Sequence, residues 1–417
     1  MGAPFIVAYA WTSCRAYDCA LSGPLIGIAR DGWSATANML ADAPRPTLTG
    51  FGLFAAWYVA QAVLAMLLPG KTGIGVPTPA GHRLEYRLNG LLAWVVTHGL
   101  LYVTAFHSAL ISPTLAYDHG GGLLVAATAA GFAIAFFAFW KAQRHPTHPD
   151  DRRFRGSALF DFIAGIELNP RVGGLDLKLF HVGHVGMMAW TPINLSLVAR
   201  QFQQLGHVTL SMVLVNVLQL VYVLDFFVRE DWYLRTIDIH HDHFGWFLVW
   251  GSVVWIPFAY TLQAAYLVDH PVELSAAAAA GIVALGLTGY GIFLSANRQR
   301  DRFRRARGPC TIWGREATFV PATYSTADGV VHETRLLTSG WWGIARHANY
   351  VGDLLMAVAF SLTCGFTHLL PYGYAIFLAI LLVHRTYRDD RRCRVKYGPA
   401  WDAYCTRVPY RLVPGVW

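Results

Sequence analysis

The stretch LSAAAAAGIVALGLTGYGIFLSAN, residues 274–297, has no charged side chain, and RQRDRFRRARG, 298–308, follows it with six arginines. About 20 apolar residues are enough for a helix to cross a bilayer, and a basic flank is typical of the cytosolic end of such a helix. We therefore predict a membrane-spanning helix that ends in a cationic cluster.

The rest of the chain repeats this pattern. Of its 417 residues, 55% are hydrophobic and 14% are charged, whereas an ordinary soluble domain carries about 25% charged residues. This composition excludes a disordered chain, a coiled coil and a typical cytosolic enzyme. Five further stretches contain no Asp, Glu, Lys or Arg: 51–69, 90–113, 121–140, 209–224 and 243–268.

Weaker apolar segments add to these spans. They cover 3–13, 20–29 and 185–199. The last apolar block, 354–383, is interrupted by Gly365 and Pro371. It predicts a tight hairpin or a pair of broken helices, a form that membranes tolerate where it lines a cavity.

The basic residues fall on one side of the predicted spans. Arg83 precedes one span, the run 141–155 follows two spans later, and 298–307 returns to the same side, whereas the loops 114–120 and 269–273 contain no Lys or Arg. This distribution indicates a cytosolic basic face. The net charge of +8 is therefore a consequence of membrane topology, and we expect no nucleic-acid partner.

Together these patterns predict an all-α, polytopic integral membrane protein with about ten transmembrane segments. We expect N-terminal transmembrane helices over 1–208. A second region over 209–417 would carry the candidate functional residues, with a helical subdomain at its C-terminal end. The six cysteines form no CxxC pair, so we expect no disulfide framework.

Two cationic clusters carry the clearest chemistry. Arg300 and Arg304 are four residues apart, so on a helix they share a face that suits a phosphate. The second cluster, HRTYRDDRRCRVKYG (384–398), contains Asp389 and Asp390, which a simple membrane flank does not need and which we expect to be paired. Because no GxGxxG motif is present, a nucleotide would bind in a helical pocket rather than in a Rossmann fold.

A polar loop and one span supply candidate acids. The loop WYLRTIDIHHDHFGW (232–246) could hold a metal, close over a ligand, or supply acid–base groups. Its HH pair occurs once, whereas a membrane di-iron oxygenase would repeat such boxes, so we expect no metal. Tyr222 and Asp225, three residues apart, share one helical face near the cytosolic end of a span.

Several blocks resemble the sterol reductase family, which contains the Δ14- and Δ7-sterol reductases and the lamin B receptor. They include LLTSGWWGIARHANYVGDLL (336–355), the segment 384–417, the loop 232–246 and GIELNPRVGG (165–174). The resemblance extends over nearly the whole chain. The DHFGW form of the loop and YSTADG (324–329) are most similar to the Δ7-reducing branch.

The resemblance implies NADPH as cofactor and a sterol ring double bond, C7–C8 by the similarity to the Δ7-reducing branch, as the group that is reduced. It also implies that 209–417 is the catalytic region, with a sterol pocket and an NADPH pocket, and that its C-terminal helical subdomain binds the cofactor. It implies that Arg300 and Arg304 bind the phosphates, although the family often has Lys where Arg300 stands. Tyr222 and Asp389 resemble residues near the nicotinamide, so one of them is expected to deliver the proton, with Asp238, His241 and Asp242 in reserve. The other cofactor-binding residues implied are Leu337, Trp342, His347, Asn349, Tyr350, Arg385, Asp389, Cys393, Arg394, Val395, Lys396, Tyr397 and Tyr404.

Four alternatives compete with a Δ7 reductase. A Δ14-sterol reductase would use the same mechanism. RHANYVG (346–352) also resembles the RHPxYxG of isoprenylcysteine-type methyltransferases, but S-adenosylmethionine carries no phosphate for the arginine face. A scaffold of the lamin B receptor type would be expected to have a large soluble N-terminal extension, and a metal-dependent hydroxylase would be expected to have further histidine boxes.

The expected partners are a sterol and membrane lipid. The expected location is a bacterial inner membrane or the endoplasmic reticulum, and the sequence does not specify the oligomeric state.

Overall fold

The structure is a computed structural model that describes residues 2–306 and 308–416. Most of its elements are helices, and its contacts divide it into two units. The first unit comprises 1–78, 83–274 and 363–371, and the second comprises 79–82, 275–362 and 372–417. The division predicted at 208/209 concerns function rather than contacts, and it stays a prediction.

The first unit is built from apolar helices around a core of small and aromatic side chains, which includes Ala127, Phe244, Trp246 and Trp250. Among the described residues, helices of this unit pass through π-helical stretches at Val103–His107, Phe180–Met187 and Gly251–Ala259. The helices are α1 (Ala3–Ala16), α2 (Gly23–Asp31), α3 (Trp33–Ala41), α4 (Leu48–Leu67), α5 (Gly90–Tyr102), α6 (Leu115–Asp118), α7 (Gly120–Arg144), α8 (Ala158–Ala164), α9 (Leu177–Leu179), α10 (Met188–Leu205), α11 (Leu210–Val228), α12 (Glu230–Tyr233), α13 (Ile237–His240), α14 (Trp246–Trp250) and α15 (Leu262–Asp269).

The second unit contains α16 (Ala276–Arg305), α17 (Trp341–Ile344), α18 (Ala348–Leu362), α19 (Gly373–Tyr397) and α20 (Pro399–Arg407). With 30 residues, α16 is about 45 Å long, which exceeds the hydrocarbon thickness of roughly 30 Å. Its arginine-rich end therefore extends beyond the apolar layer. The block 354–383 is broken between α18 and α19, as predicted, with a 3₁₀ turn at Leu370–Tyr372.

Six helical stretches of the described residues are long and apolar enough to cross a membrane, and each overlaps one of the six charge-free stretches of the sequence. The polytopic membrane architecture is therefore confirmed at this level. The six are Leu48–Leu67, Gly90–His107, Gly120–Arg144, Leu210–Val228, Trp246–Asp269 and Ala276–Arg305.

The all-α prediction was wrong in one respect, because short antiparallel hairpins join several helices. The longest pairs Phe319 with Leu337 and Ser325 with Val331 around a turn in which Gly329 has a φ of 82°. Asp328 Oδ1 accepts hydrogen bonds from Thr326 and the backbone of Val330, which stabilises the turn. The strands are β1 (Lys71–Ile74), β2 (Glu85–Leu88), β3 (Arg171–Val172), β4 (Leu175–Asp176), β5 (Thr311–Ile312), β6 (Arg315–Glu316), β7 (Phe319–Ser325) and β8 (Val331–Leu337), paired in that order.

The structure also corrects the expectation that the cysteines form no disulfide. Cys14 and Cys19 are bonded across the chain reversal that follows α1. Asp18, between the two cysteines, has its Oδ1 2.8 Å from Nε2 of His270, which belongs to the loop 269–273 that contains no Lys or Arg. Since disulfides persist in oxidising compartments, this pairing agrees with the assignment of that loop to the non-cytosolic face.

Helices α16 and α18 approach closely at two glycines. A Cβ on Gly352 would lie 2.5 Å from the carbonyl oxygen of Gly289, and one on Gly289 would lie 2.8 Å from that of Gly352. Small residues permit such backbone contact between membrane helices.

We expect Gly352→Ala to destabilise the protein by about 1–3 kcal/mol, because the added methyl must push the two helices apart. Thermal unfolding of the purified protein in detergent measures this loss. Gly281→Ala is the matched control, since nothing lies within 4 Å of its added Cβ. Equal melting temperatures for the two variants would contradict the proposed close contact.

Candidate active site

The predicted cofactor residues of the second unit come from six elements. They are the basic end of α16, the last residue of β8, α17, the start of α18 with the preceding His347, the charged half of α19 from His384 onward, and α20, which carries Tyr404. Leu337, at the end of β8, is buried in one cluster with Phe303 and Trp342. The hairpin, which the sequence did not predict, thus places Leu337 beside the arginine-bearing helix.

Asn297 connects two of these elements. Its Oδ1 accepts hydrogen bonds from Arg300 Nη2 at 3.2 Å and from Asn349 Nδ2 at 3.4 Å. The Arg300 guanidinium lies 4.5 Å from the ring centroid of Trp342, whose Nε1 donates to the carbonyl of Ala296. Because its planar side chain is held by both contacts, Arg300 is oriented without a carboxylate partner.

The site carries more positive than negative charge. Among the described residues, Arg300, Arg304 and Lys396 have no carboxylate within ion-pair distance, and the side chain of Arg304 is exposed. Lys396 Nζ lies 3.6 Å from the ring centroid of Tyr324. Burial and then the charge of Arg392 lower the pKa of Lys396 to about 8. Such unbalanced cations favour an anionic ligand.

Asp389 is held between two basic side chains. Arg392 Nη2 donates to its Oδ1 at 2.7 Å, and His347 Nε2 lies 3.3 Å from its Oδ2. Burial alone would raise the pKa of Asp389, but the hydrogen bond from His347 and the charge of Arg392 outweigh it and hold that pKa well below its usual range. Asp389 is therefore a carboxylate at neutral pH. His347 also stacks on Tyr350, with ring centroids 5.0 Å apart.

The neighbouring Asp390 anchors the C-terminal segment. Its carboxylate accepts hydrogen bonds from Trp401 at 3.0 Å and Arg411 at 3.2 Å, and Arg346 lies 3.7 Å away. The backbone of His347 donates to the carbonyl of Arg411. Both acids of the RDD sequence are thus paired, as expected, and Asp390 stabilises the loop that presents His347.

The remaining predicted residues of α19 and α20 divide by helix face. Cys393 and Tyr404 are buried in one cluster with Trp401. The side chains of Arg394 and Val395 are exposed on another face of α19, and Arg394 forms a surface ion pair with Asp402. We therefore leave Arg394 and Val395 out of the proposed pocket.

Tyr222 belongs to the first unit, on α11. Its ring centroid lies 5.8 Å from that of the fully buried Trp190. Trp190 Nε1 donates to Gln219 Oε1 at 2.9 Å, one turn before Tyr222. Since Gln219 also accepts from Asn194 at 2.7 Å, the indole that packs on the phenol is fixed by a hydrogen-bond network.

The histidine-rich loop of the first unit is held in place by a buried lysine. The amino group of the buried Lys178 donates to the carbonyls of Ile239 and Asp242, at 2.8 and 2.5 Å. Because these two carbonyls flank His241, the bonds from Lys178 keep the segment that contains His241 in place. Within 2–306 and 308–416, no three His, Cys, Asp or Glu side chains are arranged to hold a metal ion.

The sequence interpretation missed three polar residues that hold the site together, namely Asn297, Tyr324 and Arg392. Asn297 is three residues before Arg300, and Arg392 three after Asp389, so helical spacing was an available signal for both. Tyr324 lies on β7, and nothing local in the sequence connects it with Lys396.

Comparison with known proteins places the whole chain in one group. Residues 19–417 match the ergosterol biosynthesis ERG4/ERG24 family. The chain is 47% identical to 7-dehydrocholesterol reductase of Danio rerio, over 99% of this chain and 89% of that protein. It is 42% identical to the Δ14-sterol reductase of Methylotuvimicrobium alcaliphilum, over 89% and 84% of the two chains, and 39% identical to 7-dehydrocholesterol reductase of Arabidopsis thaliana, over 90% and 86%. This chain belongs to the ERG4/ERG24 family.

Proposed function

We propose that this protein reduces the C7–C8 double bond of a sterol with NADPH. The observation that carries the proposal is its identity of 47%, over 99% of the chain, with a relative named for reduction of 7-dehydrocholesterol. A plant relative of the same name supports it. The Δ14-sterol reductase at 42% identity makes reduction of C14–C15 the second candidate.

The residues of the second unit fit the proposed cofactor. Arg300, Arg304 and Lys396 supply cations without ion-pair partners among the described residues, and two of them lie on the helix face predicted for phosphate. When bound, NADPH supplies the hydride. An isoprenylcysteine-type methyltransferase would leave these cations without a phosphate, so the charge of the site does not favour that reaction.

The proposed reaction adds one proton and one hydride across the double bond. A double bond with no electron-withdrawing group accepts hydride poorly, so the task of the protein's own residues is to protonate one of its carbons. NADPH, when bound, would supply the hydride for the other carbon. We assign delivery of the proton to the phenol of Tyr222. Asp389 is a carboxylate and cannot be the donor in this protonation state. We therefore assign to its negative charge, held in place by His347 and Arg392, the electrostatic stabilisation of the cationic intermediate.

The proposed membrane arrangement extends the six spans to about ten. The additional segments would come from the N-terminal helices, the α9–α10 stretch, α18 and the apolar half of α19. The basic end of α16 would face the cytosol, and the sterol would enter from the bilayer. The membrane would be a bacterial inner membrane or the endoplasmic reticulum.

Isotope tracing tests the proposed reaction. Purified protein in detergent is incubated with a 5,7-diene sterol and NADPH that carries two deuteriums at C4 of the nicotinamide, or with unlabelled NADPH in D₂O. The product should gain one deuterium from each source, on adjacent carbons. No turnover, or two deuteriums from water, would contradict the proposal.

We expect kcat/KM for NADPH to fall as the pH rises through about 8, the pKa to which burial and Arg392 lower Lys396. Lys396 is cationic below that pH and attracts phosphate, and it loses this charge above it. Initial rates between pH 6.5 and 9.5 measure the profile. In the control Lys396→Arg, the guanidinium stays charged, so the fall near pH 8 should disappear. Superimposable profiles would exclude Lys396 as a phosphate-binding cation.

A further inference from the structure

A cavity of about 420 Å³ in the first unit contains none of the residues assigned to the proposed reaction. It lies between the end of α1, the loop that joins α3 to α4, and the turn that leads into α7. That turn belongs to the loop 114–120, which contains no Lys or Arg and is predicted to lie opposite the cytosolic basic face. The volume lies within the range of roughly 300–1,000 Å³ that is typical of small-molecule sites.

Two arginines line this cavity, although the side of the membrane on which it lies generally avoids basic residues. The guanidinium of Arg15 lies 5.1 Å from the ring centroid of Trp11, and Arg45 Nη2 donates to the carbonyl of Ala41 at 2.7 Å. Among residues 2–306 and 308–416, neither arginine has a carboxylate within ion-pair distance. Both guanidiniums therefore keep N–H donors available for an anion.

Two membrane-crossing helices also begin at the cavity. Thr47 caps α4, because its Oγ1 accepts a hydrogen bond from the backbone of Gly50 at 3.0 Å. The first turn of α7 contributes Gly121 and Gly122 to the lining, and no described side chain caps that helix. A Cβ on Gly50 would lie 2.4 Å from the carbonyl carbon of Gly122, so the two helix starts are in direct contact. Their positive dipole ends add to the field of the arginines and favour a group such as phosphate.

The lining contains two acids as well, Asp42 and Asp118. In the described part of the chain neither acid forms an ion pair, although both share the cavity with arginines. Asp118 Oδ2 accepts a hydrogen bond from Thr114 at 2.6 Å, which leaves its other oxygen available. The charges of the two arginines and the two aspartates cancel. A ligand that carries both a negative and a positive group therefore fits this lining better than a simple anion does.

The position of the cavity favours a lipid over a soluble molecule. Because α4 and α7 both begin here, the cavity lies at the level where the apolar layer of the membrane meets the headgroups. Leu48, directly after the lining residue Thr47, is 93% exposed, and the exposed Phe51 lies about one turn further along α4. These apolar side chains give acyl chains a surface beside the polar cavity.

We propose that this cavity binds a phospholipid headgroup that carries a phosphate and a primary ammonium, as in phosphatidylethanolamine. Arg15, Arg45 and the start of α7 hold the phosphate by charge-assisted hydrogen bonds. The ammonium has three N–H donors, and it donates to Asp42 and Asp118. A choline headgroup has no N–H to donate and a glycerol headgroup has no positive charge, so both match the lining less well.

Native mass spectrometry of the full-length protein in detergent tests this proposal, without sterol or cofactor. After copurified lipid is removed, the protein is titrated with phosphatidylethanolamine, phosphatidylcholine and phosphatidylglycerol that carry identical acyl chains. The wild-type protein should bind the first at least about tenfold more tightly than the other two, the value of one charge-assisted hydrogen bond. Free phosphoethanolamine should bind at least about tenfold more weakly than the lipid, because it buries no acyl chain.

Two double variants separate the roles of the charges, and all four residues are exposed, so the substitutions should leave the fold intact. Arg15→Gln/Arg45→Gln should weaken binding of all three lipids by about tenfold or more, because each contains the phosphate. Asp42→Asn/Asp118→Asn should reduce the preference for the ethanolamine headgroup to about threefold or less. Arg30→Gln is the control and should bind as the wild-type protein does, since Arg30 is exposed and lies outside the cavity.

Equal affinity of the wild-type protein for the three lipids, or an undiminished preference in the aspartate variant, would overturn the assignment of the headgroup. Undiminished binding by the arginine variant, or an equal loss in Arg30→Gln, would exclude a specific phosphate site. Free phosphoethanolamine that binds as tightly as the lipid would identify a soluble ligand and overturn the assignment to a lipid. None of these results depends on reduction of a sterol, so the proposed function is tested separately.

Discussion

The substitution Tyr222→Phe is expected to reduce turnover of a 5,7-diene sterol by about 100-fold or more, the range typical of a lost general acid. Phenylalanine keeps the ring that packs on Trp190, so the fold of α11 should be unchanged. Only the O–H group that we assign to proton delivery is removed. NADPH affinity, measured by fluorescence titration, should stay at the wild-type value.

The matched control for this prediction is Tyr260→Phe. Tyr260 contacts the same indole, with ring centroids 5.1 Å apart, so its phenol is removed from a comparable environment. We expect nearly wild-type turnover in this control. Full activity in Tyr222→Phe, or equal losses in both variants, would exclude the Tyr222 phenol as the specific proton donor.

The substitution Arg304→Ala is expected to raise the KM for NADPH by about 10- to 100-fold, while kcat changes little. A charge-assisted bond to phosphate is worth roughly 1.5–3 kcal/mol, and Arg304 has no ion pair among the described residues that would compete for it. If the phosphate bound by Arg304 is the 2′-phosphate, which NADH lacks, the variant and the wild-type protein should have the same kcat/KM for NADH.

Arg305→Ala is the control for the arginine face. Arg305 follows directly, is 59% exposed and is paired with Asp301, so its loss should leave the KM within about twofold. Equal effects of the two substitutions would indicate a general loss of positive charge. A fall in kcat as large as the rise in KM would contradict a role restricted to phosphate binding.

The membrane spans could be predicted because the bilayer requires an uninterrupted apolar stretch, which is visible in the local sequence. Stretches such as 274–297 must exclude charge over about 20 residues, and α16 follows that rule closely. The pairing of Asp389 and Asp390 was also predictable, since carboxylates beside a membrane need partners. Membership of the family followed from motifs that stand in the sequence as written.

Features that depend on distant packing could not be read in the same way. Asn349 meets Asn297 only because two glycines let α16 and α18 touch, across 52 residues of sequence. The disulfide between Cys14 and Cys19 depends on a reversal in which Asp18 and Cys19 adopt positive φ, which few sequences announce. The β7–β8 hairpin was hidden because β7, FVPATYS, contains a proline, which argues against a strand, and β8, VHETRLL, has polar residues at both alternating sets of positions.

Product analysis with two sterols tests the central claim most directly. The purified protein is incubated with NADPH and either a 5,7-diene or an 8,14-diene sterol, and the products are identified by mass spectrometry. We expect saturation of C7–C8 in the first sterol and no change in the second. Saturation of C14–C15 alone would contradict the Δ7 assignment.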